Sequence, residues 1–570
     1  MVRAQAWILR VGLFLLPLAY APFTYDGYVL PKLALARVLV AVLLLLHVAR
    51  FVGARRVIVK RTSIDLPLLA FVASAALSTV FAENVNVAIF GTYSRYDGLL
   101  TLLTYGLLFW LAVQVIHDSV DARTLIRFLI ASGYAVAALA IVQSVRDSVQ
   151  SGSIAPAYGT LGNANVLGAF LAVVIALACG ELMTVRSAAA RILLVNVLVV
   201  AGLALLLSFS RSAWVGTAVG VVVAVLATRR GAARWWLAGG AAVVVVVAAA
   251  LVLAGVVLGP GAALQQQLSA RALTLVQPAQ FGASRFEIWG DSLRMVASRP
   301  LLGYGPDNVG LVFPRFQTGD WGVSAQPGGS VRQQIDKTHA ELLQVAATQG
   351  VVGVLAYLVL LAAFVRRFWL GRRLEGAGFV FGAWLAYELS LQVNFTALGA
   401  ALPFWIFAAA AVGSWGDATR EVELRLANPV LAWMVGSAAA CLCLATVALG
   451  GVLPLLADAT LRQAVDTDFA GRPDAAAPYA SRARAEAPEE SVYATEVGNI
   501  AFEQHQWSAA RVAYQDAARL GTFNPLVYRN LALADRNLGL ALEAREAARK
   551  AVELDRFDPA NQALLAEFGG

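Results

Sequence analysis

What most constrains this chain is a series of apolar runs, each about 17 to 25 residues long, recurring from Trp7 to Leu455; a helix needs that length to cross roughly 30 Å of hydrocarbon. Backbone N–H and C=O groups find no water in a bilayer, so runs of this kind are expected as helices that satisfy their own backbone. Only 14% of the 570 residues are charged and 59% are hydrophobic, whereas an ordinary soluble domain carries about 25% charged residues. The runs predict about thirteen spans, near 7–23, 33–52, 64–81, 99–117, 124–145, 162–184, 192–209, 213–228, 235–258, 340–365, 376–396, 398–414 and 430–455. The expected fold is therefore all-α. It is a polytopic membrane protein of about 12–13 transmembrane helices, with a large outer loop and a C-terminal helical-repeat domain.

The net charge of +8 raises nucleic acid as a partner, but the position of the charge gives another reason for it. Basic residues gather in alternate short loops: Arg55, Arg56 and Lys60, then Arg123 and Arg127, Arg186 and Arg191, Arg229 and Arg230, Arg366 to Arg373, and Arg420 with Arg425. Such an excess marks cytoplasmic loops. It sets the N-terminus inside and, after an odd number of spans, the C-terminus outside; nucleic acid is not needed to account for the charge. The first run follows basic residues as a signal peptide does, but no convincing small-residue cleavage site comes after it, so it is read as the first span. Cys179, Cys441 and Cys443 lie in apolar spans without metal-ligand spacing, so neither a disulfide framework nor a metal site is expected.

Two outer pieces remain. The segment 259–338 is too long, and too rich in aromatics, Gly and Pro, to be a passive connector. Beyond the membrane unit 1–456, the segment 457–570 loses hydropathy and carries 12 basic and 17 acidic residues. Within it Ala513, Ala517, Leu520, Phe523 and Pro525 recur 34 positions later as Ala547, Ala551, Leu554, Phe557 and Pro559. That period resembles the tetratricopeptide repeat, whose stacks present a concave surface to peptides or partner proteins. The alternative is a packing appendage that covers the outer loop.

Candidate chemistry follows from topology. His339 opens the tenth span at the outer boundary, where an imidazole can take a proton near neutral pH; His47, His117 and His505 fall at interfacial or surface positions. Arg211 stands in the short outer turn Ser208–Trp214, and a cation so close to hydrocarbon calls for an anionic partner, either a protein carboxylate or a substrate phosphate. Arg285 lies on an expected amphipathic helix, 285–297; with Arg211 it suits a pyrophosphate clamp, against a salt bridge to Glu287 or Asp291. Arg95 and Tyr96, in the outer loop Gly91–Gly98, are candidates for contact with sugar, against an interfacial anchoring role. Glu388 with Gln392 inside the eleventh span reads as a helix–helix lock or a cavity-facing group. There is no GxxxxGK loop, no HExxH and no outer Asp-x-Asp pair, so nucleotide hydrolysis and metal chemistry have little support, and no cofactor is expected.

Five stretches, in this order and on this topology, resemble the O-antigen ligase and polymerase superfamily of bacterial membrane proteins: Gly159–Asn165, Ser208–Trp214, Arg285 with Trp289, Gly303–Asn308 and His339–Gln344. The resemblance covers about 60–455. It implies a metal-independent, inverting glycosyltransferase of the cytoplasmic (inner) membrane that moves a glycan from a polyprenyl-pyrophosphate carrier to an acceptor hydroxyl at the outer face. By the same resemblance Arg211 and Arg285 would hold the pyrophosphate, and His339 would act as base or help to bind phosphate. Asn163, Asn165, Tyr304 and Asn308 would join Arg95 and Tyr96 in binding substrate. The acceptor would be lipid A core, a growing glycan or a protein. One departure is that Ala340 stands where the family commonly has Asn. The competing classes are a secondary transporter, which would place its site near the midplane on repeated halves, and a non-catalytic scaffold displaying the tail.

Overall fold

The computed structural model describes residues 1–569 except 153, 228–282, 321–322, 327–328, 333, 417–419 and 426–427. The span expected at 235–258 and the first part of the outer loop, 259–282, lie outside the described residues. The other twelve expected spans coincide with helices. The first eight are α1 (Val2–Leu15), α2 (Leu30–Ala54), α3 (Asp65–Val80), α5 (Leu99–Val115), α6 (Ser119–Ser151), α7 (Ala164–Thr184), α8 (Ala188–Leu207) and α9 (Arg211–Ala227), with a short α4 (Val85–Phe90) after α3. After α10 (Ala283–Ser298) and a single turn, α11 (Val309–Val312), come α12 (Glu341–Gly371), α13 (Ala377–Leu391), α14 (Leu398–Ser414) and α15 (Pro429–Val447). Among the described residues six helices are long and apolar enough to cross a membrane, and five shorter apolar ones accompany them.

Burial differs among the helices of the bundle. α7 is buried along most of its length and forms the centre, while α8 and α15 show most of their surface to the lipid side. α9 and α13 approach closely because glycines face each other. A Cβ on Gly220 would stand 2.4 Å from the Gly382 carbonyl, and one on Gly382 would stand 2.3 Å from that of Gly220. Small residues at such a crossing allow the backbone approach on which helix pairs in lipid depend.

α12 is broken. Gly350 has φ 64° and ψ −162° inside it, a conformation that suits glycine. The backbone groups released there are not left bare: Val351 N donates to Pro300 O (2.8 Å), Tyr304 N to Ala347 O (3.0 Å) and Gly305 N to Thr348 O (2.8 Å). The 300–305 loop thus completes the broken helix, which is how irregular backbone survives at membrane depth.

The all-α expectation holds among the described residues apart from two short antiparallel strand pairs. β1 (Arg56–Arg61) pairs with β4 (Arg420–Arg425), and β2 (Val323–Gln326) pairs with β3 (Gly329–Arg332) within the outer loop. The first pair joins two of the Arg-rich loops, which therefore share one side of the bundle.

The C-terminal helices are α16 (Leu453–Phe469), α17 (Pro473–Glu486), α18 (Ser491–Glu503), α19 (Trp507–Arg519), α20 (Pro525–Asn537), α21 (Ala541–Leu554) and α22 (Pro559–Glu567). The repeated alanines and leucines at 513, 517, 520, 547, 551 and 554 are buried. The repeated prolines open α20 and α22, capped by Asn524 and Asp558. Neighbouring helices pack as successive hairpins. These helices are braced on the loops around residues 26, 83–93 and 315. Asp458 accepts from Tyr93 Oη (2.5 Å), Tyr493 Oη (3.1 Å) and Asp26 N (2.7 Å). Asn86 donates to the Glu489 and Leu520 carbonyls, and Arg315 bridges Glu83 and Glu553.

Candidate active site

The site forms where four loops meet at one end of the bundle: 91–98, 208–211, 303–308 and 336–340. The connection 392–397 between α13 and α14 lies among them. Arg285 Nη1, on α10, donates to Val393 O (2.8 Å). Phe395 lies against the His339 ring, centroids 5.3 Å apart, and under the Arg95 guanidinium at 5.2 Å. Thr396 N donates to Glu341 Oε2 (2.8 Å), in the first turn of α12. Because α9 and α13 pack so tightly, Arg211 at the start of α9 sits at the same end as this connection. Burial first, and then the positive charge of Arg211, depress the pKa of Arg285. Among the described residues no carboxylate pairs with Arg285. Asp291, its expected alternative partner, instead accepts from Thr318 N and Oγ1 (3.0 and 2.9 Å) and from Arg294.

His339 has a left-handed backbone, φ 55°. Burial, then the charge of Arg285, lower its pKa from 6.5 to about 4, Asp336 opposing and Arg95 and Lys337 adding to the fall. The imidazole is therefore neutral near pH 7 and can accept a proton. Its Nδ1 is buried without a hydrogen-bond partner among the described residues, as are Trp289 Nε1 and Asn394 Oδ1. Buried polar atoms are normally satisfied, so unpartnered ones gathered near two arginines suit a polar ligand.

The turn that carries His339 is held by ions. Arg95 donates twice to Asp336 (2.6 and 3.2 Å). Against the upward push of burial, Arg95, with Lys337 and His339, keeps Asp336 below the usual carboxylate range. Lys337, 2% exposed, bridges Asp97 (2.7 Å) and Asp307 (2.6 Å). Burial alone would lower its pKa, but Asp307 and Asp97 hold it above its ordinary value. Thr338 N donates to Gln344 Oε1 (2.9 Å). Of the seven non-glycine residues with left-handed backbone among those described, five lie in the loops of this site: Ser94, Tyr96, Phe209, Asp307 and His339. Such conformations persist where surrounding structure fixes them, and they cluster at functional sites.

The structure brings Arg211, Arg285 and His339 together, with Arg95 beside them. It gives the other candidates scaffold positions. Asn163 caps α7 through Asn165 N (2.8 Å) and Val166 N (3.3 Å), and Asn165 sits in that first turn. Tyr96 is 3% exposed and packs on Tyr93. Tyr304 is a core residue whose hydroxyl meets Ser298 Oγ (2.7 Å). Asn308, fully buried, accepts from Asn84 N (2.8 Å) and donates to Pro306 O (2.9 Å). Tyr96, Tyr304 and Asn308 are buried and take part in shaping the loops. Phe395, Asp336, Lys337, Asp97 and Asp307 are not among the sequence candidates, although Asp97 and Asp307 stand inside Gly91–Gly98 and Gly303–Asn308 and Asp336 and Lys337 shortly precede His339. Ala340, the departure from the family pattern, is the N-cap of α12 and makes no side-chain cap bond; the amide missing there is a helix cap.

A bundle of membrane-length helices with a polar, arginine-lined cluster at one end defines a polytopic membrane protein. Residues 196–358, from α8 into α12, match the O-Antigen ligase family model, so this part of the chain is similar to O-antigen ligases. No curated protein matches the chain. The matched segment contains Arg211, Arg285 and His339, and the family supports membrane glycan transfer using a lipid-linked glycan donor.

Proposed function

We propose that the protein transfers a glycan from a polyprenyl-pyrophosphate carrier to an acceptor hydroxyl at the outer face of the bacterial cytoplasmic membrane, inverting the anomeric centre without a metal. The observation that carries this reading is the convergence of Arg211, Arg285 and a neutral His339 at one membrane boundary. Guanidinium groups match phosphate oxygens with paired donors and stabilise the charge that grows on the leaving pyrophosphate. His339 takes the proton of the acceptor hydroxyl as the new bond forms. The pyrophosphate itself raises the basicity of His339, because its negative charge offsets Arg285. On this reading the N-terminus is cytoplasmic, 1–456 is the transferase unit, and 457–570 is an extracytoplasmic helical-repeat domain of tetratricopeptide type. Asp458 and Arg315 join that domain to the outer loops. The acceptor is a hydroxyl of lipid A core, of a growing glycan or of a protein, and each is supplied in turn in the test.

That test is transfer from purified polyprenyl-pyrophosphate oligosaccharide by the purified full chain with chelator present. The expected result is release of polyprenyl pyrophosphate with a glycosylated product, lost in His339→Ala. Equal transfer by the variant, or dependence on a divalent metal, would refute the reading.

A further inference from the structure

A cavity of about 100 Å³ lies among α3, α5, α12, α13 and α14, lined at one end by Asp97, Asp307 and Lys337, the last of these two positions before His339. Its wall holds one ammonium, Lys337, and four carboxylates: Asp97, Asp307, Glu341 and Glu388. Lys337 pairs with Asp97 and Asp307 at the outer end. Glu341 is held by the Thr396 amide, and Glu388 accepts from Tyr357 Oη (2.8 Å). With all four acids ionised the formal charge would be −3, in a chamber whose wall also includes Phe71, Leu360, Phe364 and Trp405. Two carboxylates sharing an apolar site cannot both stay charged without added positive charge.

A second observation points to a small polar occupant. Tyr105 and Tyr387 line the same cavity, are 3% and 2% exposed, and their hydroxyls have no hydrogen-bond partner among the described residues. A chamber of this size has room for about three waters at roughly 30 Å³ each. Among the described residues no cluster of His, Cys, Asp and Glu is arranged to hold a metal ion; the carboxylates are strung along the cavity.

We propose that this cavity binds a proton, shared through water between Glu341 and Glu388, and that it receives the proton released by glycan transfer. The proposal rests on the transfer reading for its second half only. In that reaction the acceptor O–H bond breaks as its oxygen bonds to the anomeric carbon. The carbon–oxygen bond to the pyrophosphate breaks with its electron pair on the phosphate oxygen, and one proton is left over. His339 takes it, and Lys337 and Glu341, two positions to either side of it, line the cavity. The Thr338 amide is held by Gln344, and the residue after Phe395 is Thr396; both Gln344 and Thr396 line the chamber. The proton returns outward by the same route before the next turnover.

Infrared difference spectroscopy on the full chain tests this directly. The expected result is a protonated-carboxyl band near neutral pH that shifts in D2O, is lost in Glu388→Gln and moves in Tyr387→Phe, a variant that removes only a hydroxyl. Glu388→Gln should also lower kcat with KM for the donor unchanged. Absence of the band, or its persistence in Glu388→Gln, overturns the proposal. A carboxylate response to sodium in place of pH overturns it too, by making the occupant a metal cation. If the band behaves as expected in a protein that transfers from no donor, the proton site stands and its coupling to transfer falls.

Discussion

Lys337 and Arg285 are buried cations at the same end of the bundle, and they are treated in opposite ways. Lys337 is enclosed and bridges two carboxylates, Asp97 and Asp307. Arg285 donates to a backbone carbonyl and feels another arginine. The first arrangement satisfies a charge within the protein and ties the 91–98, 303–308 and 336–340 loops into one piece. The second concentrates positive potential where a phosphate group would supply the counter-charge. On the proposed reading Lys337 is a scaffold ion and Arg285 a ligand-binding one, distinguished by the company each keeps.

The difference can be broken by substitution. Arg285→Ala should lower transfer by about 100-fold or more, the scale of losing a group that stabilises a developing oxyanion, with little change in thermal unfolding. If unfolding moved as much as activity, Arg285 would be a scaffold ion as well. Lys337→Met should do the reverse. It leaves two buried carboxylates without their cation and is expected to destabilise the fold by about 3–5 kcal/mol. The Lys337→Met, Asp307→Asn double variant should recover part of that loss in an unfolding measurement.

A third prediction concerns pH. The pKa of His339 falls from 6.5 to about 4 in the folded protein, so in that window the unfolded chain binds the extra proton first. Its contribution to stability is full above about 6.5 and is lost as pH falls toward 4. His339→Gln should flatten that part of the stability profile; an unchanged profile would mean that the imidazole is not buried in its neutral form. The smallest effect is at Ala340. Replacement by Asn supplies the missing cap of α12 and should stabilise by about 1 kcal/mol, read as a rise in unfolding temperature.

Much of this arrangement was legible in the sequence, for physical reasons. Apolar runs have one way to cross a bilayer, so twelve of the expected spans appear as helices. Arg211, Arg285 and His339 stood out because a charge or an imidazole beside hydrocarbon needs a reason. The Lys337 triad was harder to read. Its partners are separated from it by 240 and 30 positions, and no local pattern announces a pairing across loops. Phe395, at the centre of the site, was invisible because an aromatic residue at the end of a span reads as an interfacial anchor. The motif Gly303–Asn308 was noticed for the right residues but given a different task. Its glycines and its buried Asn308 shape the backbone that completes the broken α12, and that closure is a tertiary event.

The most direct test of the central claim is binding of polyprenyl pyrophosphate to the purified full chain, beside Arg211→Ala, Arg285→Ala and the Lys337→Met, Asp307→Asn double variant. The account predicts that each arginine variant loses affinity about tenfold or more, the scale of one desolvated charge-assisted pair, while the folded double variant binds nearly as the parent does. Parent-like binding by both arginine variants, with loss confined to the Lys337 variant, would contradict it and move the anion site to the 336–338 turn.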